Sequence, residues 1–491
     1  MTSTRWALAR SGAFLVAAGA LVAGSTQLTG QWVIGSGTAT GPSLGAAGVT
    51  PVGQTLLSCP GHETAGIAGL AAVPADPTTI LVASAPAEAM TGIAAVSAPG
   101  GLTLRGQPAN TVLATAGHRG DHLSGSLTEA STGEVEATGA LAVGVAAAQV
   151  GLRKEGDERG LQSAPCQVPR SELWLLAGGG SATRRERLVV ANAGANPVTV
   201  DVQVHGASGP IASVNGTRIA VPAHGRIGLL VDAIAAGEAS PAVHVTATGG
   251  LVTAVLEDSW IDGATGRGRD DASPSEPPGN EQVIPAAILS GPATLRILVP
   301  GGDEAVVQSR ALGTAGAVPL PADPVVRIPG GTVRDIDLTG LPAGAYAVQV
   351  RSDRPVVASV LVERRPATGQ SDLAWISSAP AIPVLAGSPV PTGFAARLAV
   401  VGTGEPWAAT VVVVGADGAV TTTTAQAAAD TGWVGDIPSG ARSVWVRPSQ
   451  GSVRAGLLVE STDPAGPLVT ATPLLPLPVT STTVPVREVR H

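Results

Sequence analysis

The stretch LPAGAYAVQVRSDRPVVASVLVE (341–363) returns about a hundred residues later as IPSGARSVWVRPSQGSVRAGLLVE (437–460), and this repetition decides the fold. Pro342, Gly344, Val348, Val350, Arg351, Val356, Ala358, Leu361 and Glu363 reappear as Pro438, Gly440, Val444, Val446, Arg447, Val453, Ala455, Leu458 and Glu460, with one residue inserted between the halves. Each copy reads as a proline–glycine turn, an alternating strand, a polar turn such as 352–355 and a second β-branched strand, which is the pattern of a β-hairpin. The apolar positions recur while the residues between them change, so each strand should have one buried face and one free face. The unit is all-β.

PAVHVTATGGLVTAVLED (241–258) is a third copy: Ala242, Val243 and Val245 stand where Ala347, Val348 and Val350 do. Upstream of each copy an arginine opens a strand, at Arg187 (RLVV), Arg296 (RILV) and Arg397 (RLAV), spaced 109 and 101 residues apart. The run TTILVAS (78–84) extends the series towards the N-terminus and implies four modules, the first divergent. RERLVVANAGANPVTVDVQVHG (185–206) and RIAVPAHGRIGLLVD (218–232) read as further hairpins. Modules of about a hundred residues, with six or seven short strands and frequent turn signals, predict tandem immunoglobulin-like β-sandwiches. A β-propeller is the alternative, because pairs of four-stranded blades also repeat at this length.

The expected organisation is a signal-anchor or transmembrane segment (1–30), a flexible linker (31–50), a divergent β module (51–170), β modules at 171–277 and 278–371, and a last module with a C-terminal strand (372–491). IDGATGRGRDDASPSEPPGN (261–280), polar and proline-rich, reads as a hinge between the second and third modules. The charge run RKEGDERG (153–160) reads as a solvated turn.

Composition bounds the function. At 491 residues, 44% hydrophobic and 13% charged, the chain has apolar material for several cores. Gly 64 and Pro 40 suit many short strands. A net charge of −8, with no arginine cluster longer than Arg184–Arg185, argues against nucleic acid as a partner.

Arg5 and Arg10 precede an apolar run over 13–23, and no charge follows until Glu63. This is an export signal, with the arginines held inside. The reading favours an uncleaved single-pass membrane anchor with everything after it outside the cytoplasm, cleaved secretion being the alternative. In that compartment the two cysteines, Cys59 and Cys166, are most simply one disulfide bracketing the first module, against the alternative of two buried thiols. Two cysteines with no histidine at ligand spacing do not make a zinc site.

No catalytic constellation stands out. Lys154, the one lysine, follows Arg153 and not glycine, so a phosphate loop is missing, and no serine sits in a Gly-x-Ser-x-Gly elbow. His118, Asp121 and His122 in HRGDH read as a loop, and Asp262, Asp270 and Asp271 lack the spacing of a calcium loop. No catalytic, cofactor or metal residue is assigned. Trp445 occupies the place of His244 and Gln349 in the repeat; a position that accepts all three side chains should face outward, so these are candidates for a contact surface.

Taken together, the N-terminal anchor, the CPG turn at Cys59, RLVVANAG, VPAHGR and the acidic inter-module loop resemble an uncharacterised actinobacterial family of exported proteins described as a domain of unknown function. The resemblance spans nearly the whole chain and implies location and architecture, with no catalytic residues to carry over. The expected function is a non-enzymatic envelope scaffold that binds an envelope protein or glycan and touches the membrane through its N-terminal segment. A glycan-binding module and an exported enzyme with an inter-module site are the alternatives.

Overall fold

The computed structural model describes residues 48–63, 77–127, 131–156, 158–180, 183–263 and 265–483, of which Thr50–Ser481 form one compact unit. The expected membrane segment and nearly all of the expected linker lie outside the described residues, as does the C-terminal strand beyond Thr483. The regular structure of the described residues is strands and three short 3-10 turns, joined by turns and loops, and no helix among them is long and apolar enough to cross a membrane.

The first module sets the pattern. Its eight strands are Gln54–Cys59, Thr78–Ser84, Leu102–Gln107, Thr111–Ala116, His122–Leu127, Thr132–Thr138, Val145–Arg153 and Gly160–Pro165. They form two antiparallel four-stranded sheets in the orders first-sixth-third-fourth and fifth-second-seventh-eighth. The same two orders return in the second module, with its fourth strand split into Gly209–Ile211 and Ile219–Val221. In the third, the sixth and seventh strands fuse into Gly344–Arg364. In the fourth, both the second-third and sixth-seventh pairs fuse, as Ala395–Val414 and Ser443–Asp463. Asp372–Ser377 pairs with 359–364, so the third module runs on to Ser377.

The repeated stretch is therefore not a hairpin. The first half of Gly344–Arg364 pairs with Gly279–Leu289 and Ala305–Gly313, while the second half pairs with Ala293–Leu298 and Asp372–Ser377 in the other sheet. The polar break at 352–355 is the corner where one strand passes between sheets, as strands do at the corners of packed sheets. The turns at 194–197 and 222–225 do likewise, since the strands flanking each belong to different sheets. A hairpin and an inter-sheet arch share one sequence pattern, two alternating strands about a turn. They differ in the direction of the hydrogen bonds, which side-chain alternation does not record.

The modules then stack on one another. The outer face of each first sheet packs on the outer face of the next module's second sheet. Trp174, Leu176 and Ala242 of module two meet Leu298, Val333 and Val357 of module three. Val283, Leu312 and Ala347 of module three meet Val401 of module four. Leu385, Val412 and Trp445 of module four meet Ala83 and Ala146 of module one, which brings the last module against the first and closes a ring. The sandwich cores are completed in the same cyclic sense: Leu361, Leu373 and Trp375 of module three enter the core of module two, and Leu161 enters that of module four.

Candidate functional site

The eighth strands are the inner edges of their sheets, and hydrogen bonds among them join all four modules. An edge strand carries N–H and C=O groups with no ladder partner, and a buried one must find acceptors elsewhere. Here carboxylates supply them. Asp372 accepts the backbone N–H of Val469 at 2.8 Å, of Leu161 at 3.2 Å and of Arg269 at 3.4 Å, so one side chain of module three contacts the other three modules. Asp270 accepts the Trp375 N–H and the Thr470 hydroxyl, each at 2.8 Å. Asp271 accepts Gln149 Nε2 at 2.8 Å and Gln162 Nε2 at 2.7 Å and lies 2.7 Å from His62 Nε2. Gly268, at φ +118°, lets the strands approach: a Cβ there would stand 2.4 Å from Asp372 Oδ1 and 2.6 Å from Leu373 N.

The segment read as a hinge is thus the innermost strand, Thr265–Ala272, with Asp270 and Asp271 out of solvent. Its polarity marks backbone groups that need acceptors, not exposure. The charge run at 153–160 is likewise only half solvated. Lys154 and Glu155 are exposed, while buried Glu158 accepts from Arg187 at 2.6 Å and lies 3.8 Å from Arg269. Buried Arg159 donates to the Pro467 carbonyl at 3.0 Å. Two of the three repeated arginines act as ties: Arg187 reaches Glu158 of module one, and Arg296, paired with Asp335, donates to the Gly178 and Pro241 carbonyls of module two, while Arg397 pairs with Glu460 of its own module.

Burial sets the titration of this interior. It pushes the Asp372 carboxyl up to about 8 against the pull of the Val469, Leu373 and Leu161 N–H groups. Burial, then the neighbouring Asp271, brings Glu257 to about 7 and raises Asp270 well above the usual range. Asp271 is held low despite its burial, because His62 and Gln149 favour its charged form. Each of these acids is committed to another module, which is a structural assignment.

The sequence-derived candidates separate. Cys59 and Cys166 are bonded, with Cα atoms 4.5 Å apart. Trp445, His244 and Gln349 form no common outer surface. Trp445 is 0% exposed in the contact between modules four and one, and Gln349 is 1% exposed, accepting from Arg310 Nε at 2.5 Å. His244 is half-buried, stacked on Trp174 at 3.6 Å and bonded to Glu172 at 2.9 Å. The position varies because its surroundings differ: Trp445 is buried between modules, Gln349 is buried under Arg310 of its own module, and His244 stays half-buried on Trp174, so the three do not mark one outward face. Asp121 caps its own turn by accepting the His118 N–H at 2.8 Å, and among the described residues no group of three acids, histidines or cysteines is placed to hold a metal.

One concavity among the described residues lies where the modules join. Each eighth strand leads into a proline pair: Pro165 and Pro169, Pro274 and Pro277, Pro380 and Pro383, Pro473 and Pro476. Three of these are Pro-x-x-Pro, and the first has one extra residue. Pro165, Pro274, Pro380 and Pro476 all line one pocket of about 60 Å³, with Leu57 and Leu173 on its walls. Glu276 and Arg170 are its charged members. Sequence reading missed it, although the signal, a proline pair at one place in every module, is plain once the inner strands are aligned.

Residues 124–438 match a family model whose description is Family of unknown function (DUF5719). A search of the curated proteins finds no match. Among solved structures the chain is similar to the tetra-tandem repeat in the extending region of a large adhesion protein, at 13% identity over 80% of this chain and 98% of that one, with a TM-score of 0.11. It is also similar to a glycoside hydrolase family 32 structure from Bifidobacterium adolescentis, at 10% identity over 86% and 99%, with a TM-score of 0.13. Superpositions this poor carry no argument about fold or function. The family match runs from the fifth strand of the first module to just past the fifth strand of the fourth, and on that span the chain belongs to the family of unknown function DUF5719.

Proposed function

We propose that this chain is a non-enzymatic scaffold of the cell envelope, anchored by its N-terminal segment with the ring outside the cytoplasm, and that the ring holds another envelope component, a protein before a glycan. The observation that carries the reading is the division of labour among the charged groups. The acids of the inner strands are spent on module-to-module bonds, while the four proline joins converge on one shared pocket. The Cys59–Cys166 bond fits an oxidising compartment. We read the modules as variants of the immunoglobulin-like sandwich. The second strand lies beside the fifth and the third beside the sixth, as in that fold, but the first and seventh have exchanged sheets. Their cyclic stacking resembles the blades of a propeller.

The test is capture. The full-length chain, purified in detergent and immobilised, is incubated with solubilised envelope protein and with cell-wall fragments. Specific retention of a protein without chemical change supports the proposal; release of a cleaved or modified product would overturn it in favour of an exported enzyme.

A further inference from the structure

Apart from the Arg170 guanidinium, the pocket at the joins offers few free donors. Pro165, Pro274, Pro380, Pro476 and Pro478 have no N–H, and the N–H groups of Cys166, Gln167, Arg170, Ser275, Glu276 and Leu477 all donate to carbonyls of the protein. The Ser275 hydroxyl donates to the Ala358 carbonyl and Gln167 Nε2 to that of Ala254. Glu276 Oε2 is out of solvent with no hydrogen-bond partner. Glu276 is half-buried, and a donor brought to this carboxylate oxygen would be favourable there. Burial raises the Glu276 carboxyl, an effect that Arg454 and Arg170 only partly offset.

Size narrows the ligand. Space of about 60 Å³ holds roughly four to six water-sized centres at ~10–15 Å³ each. That suits the four methylenes and ammonium of a lysine better than the bulkier guanidinium of an arginine or a sugar. The leucine walls suit an aliphatic stem with a charged tip. From the pocket a second, wider groove continues through the shared Val168 and Pro478, walled by Leu56, Pro169 and Leu251. Val168 is 43% and Leu251 51% exposed, an apolar track on which backbone flanking that side chain can lie.

We propose that the pocket at the proline joins receives a lysine side chain of an extended peptide segment lying in the Leu56–Leu251 groove, with its ammonium on Glu276. This rests on reading the joins as a ligand site. Arg170, exposed at the rim, sets a like charge against such a ligand and tunes it for a slender cation reaching past the rim.

The test uses the full-length chain and the peptide Gly-Ser-Val-Lys-Val-Ser-Gly with a fluorescent label, beside versions carrying norleucine or glutamate in place of lysine. The lysine peptide should bind at least about tenfold more tightly than the norleucine peptide, and 0.5 M salt should weaken it. Glu276→Gln should remove that preference while keeping the melting temperature. Glu276→Asp should weaken binding without abolishing it, and Arg170→Ala should tighten it. Equal binding of the norleucine peptide, better binding of the glutamate peptide, or no effect of Glu276→Gln overturns the inference. If the chain captures envelope material and no basic peptide competes, the inference fails and the scaffold reading stands. If the lysine peptide binds through Glu276 and nothing is captured from the envelope, the reverse holds.

Discussion

Asp372 in the third module accepts the backbone N–H of Val469 in the fourth at 2.8 Å, and that bond shows how the ring is held. The carboxyl completes the hydrogen bonding of an inner strand that no neighbouring strand can pair. Such a group is needed wherever strand edges converge in a dry interior.

Asp372→Ala should therefore leave the N–H groups of Val469 and Leu161 without an acceptor and destabilise the unit by about 3–5 kcal/mol, read from urea melts. Asp303→Asn, on an exposed side chain, should cost at most about 0.5 kcal/mol. Equal effects would show that the axial carboxylates are not structural.

Stability should fall as pH rises from about 5 to about 8. Burial raises Glu257 and Glu186 to about 7 and Asp372 to about 8, so through that window the folded chain holds protons that the unfolded chain has released. In the other direction Glu158 and Asp335 are held low by Arg187 and Arg296 against their burial, and Asp271 by His62. Their contribution is present above the ordinary carboxylate range and lost as pH falls through it. A melting temperature that peaks near pH 5 is expected, with a shallower alkaline slope in Asp372→Asn. A peak above pH 8 would contradict the assignment.

Trp445→Ala should cost about 3–5 kcal/mol, comparable to emptying a sandwich core, because the indole fills the contact between the last and first modules. A surface role for Trp445 predicts almost no change in a melt. Proteolysis should then cut first where modules four and one meet.

Non-reducing mass spectrometry should recover Cys59 and Cys166 in one linked peptide pair. Replacing both by serine removes a closure across 107 residues, worth about 4–5 kcal/mol in the chain-entropy model, and lowers the melting temperature. Two alkylatable thiols in protein taken from outside the cell would refute the bond.

The repeat, the all-β class and the buried stripe are legible in the residues alone. Val348, Val350 and Val356 recur with a period set by the pleat, and all three are buried. The pairing of the two cysteines was also legible, since with two of them there is one pairing to choose.

Tertiary structure alone decided the rest. Alternation shows which face of a strand is buried, but not which strand receives its hydrogen bonds, so arches read as hairpins. Nor does it show whether the other face meets solvent or the next module, so Gln349 and Trp445 read as exposed. The polar run holding Asp270 and Asp271 read as a hinge because charge usually means water. Where four strand edges meet away from solvent with no further strand, a carboxylate is the acceptor the backbone lacks, and that need exists only once the ring has closed.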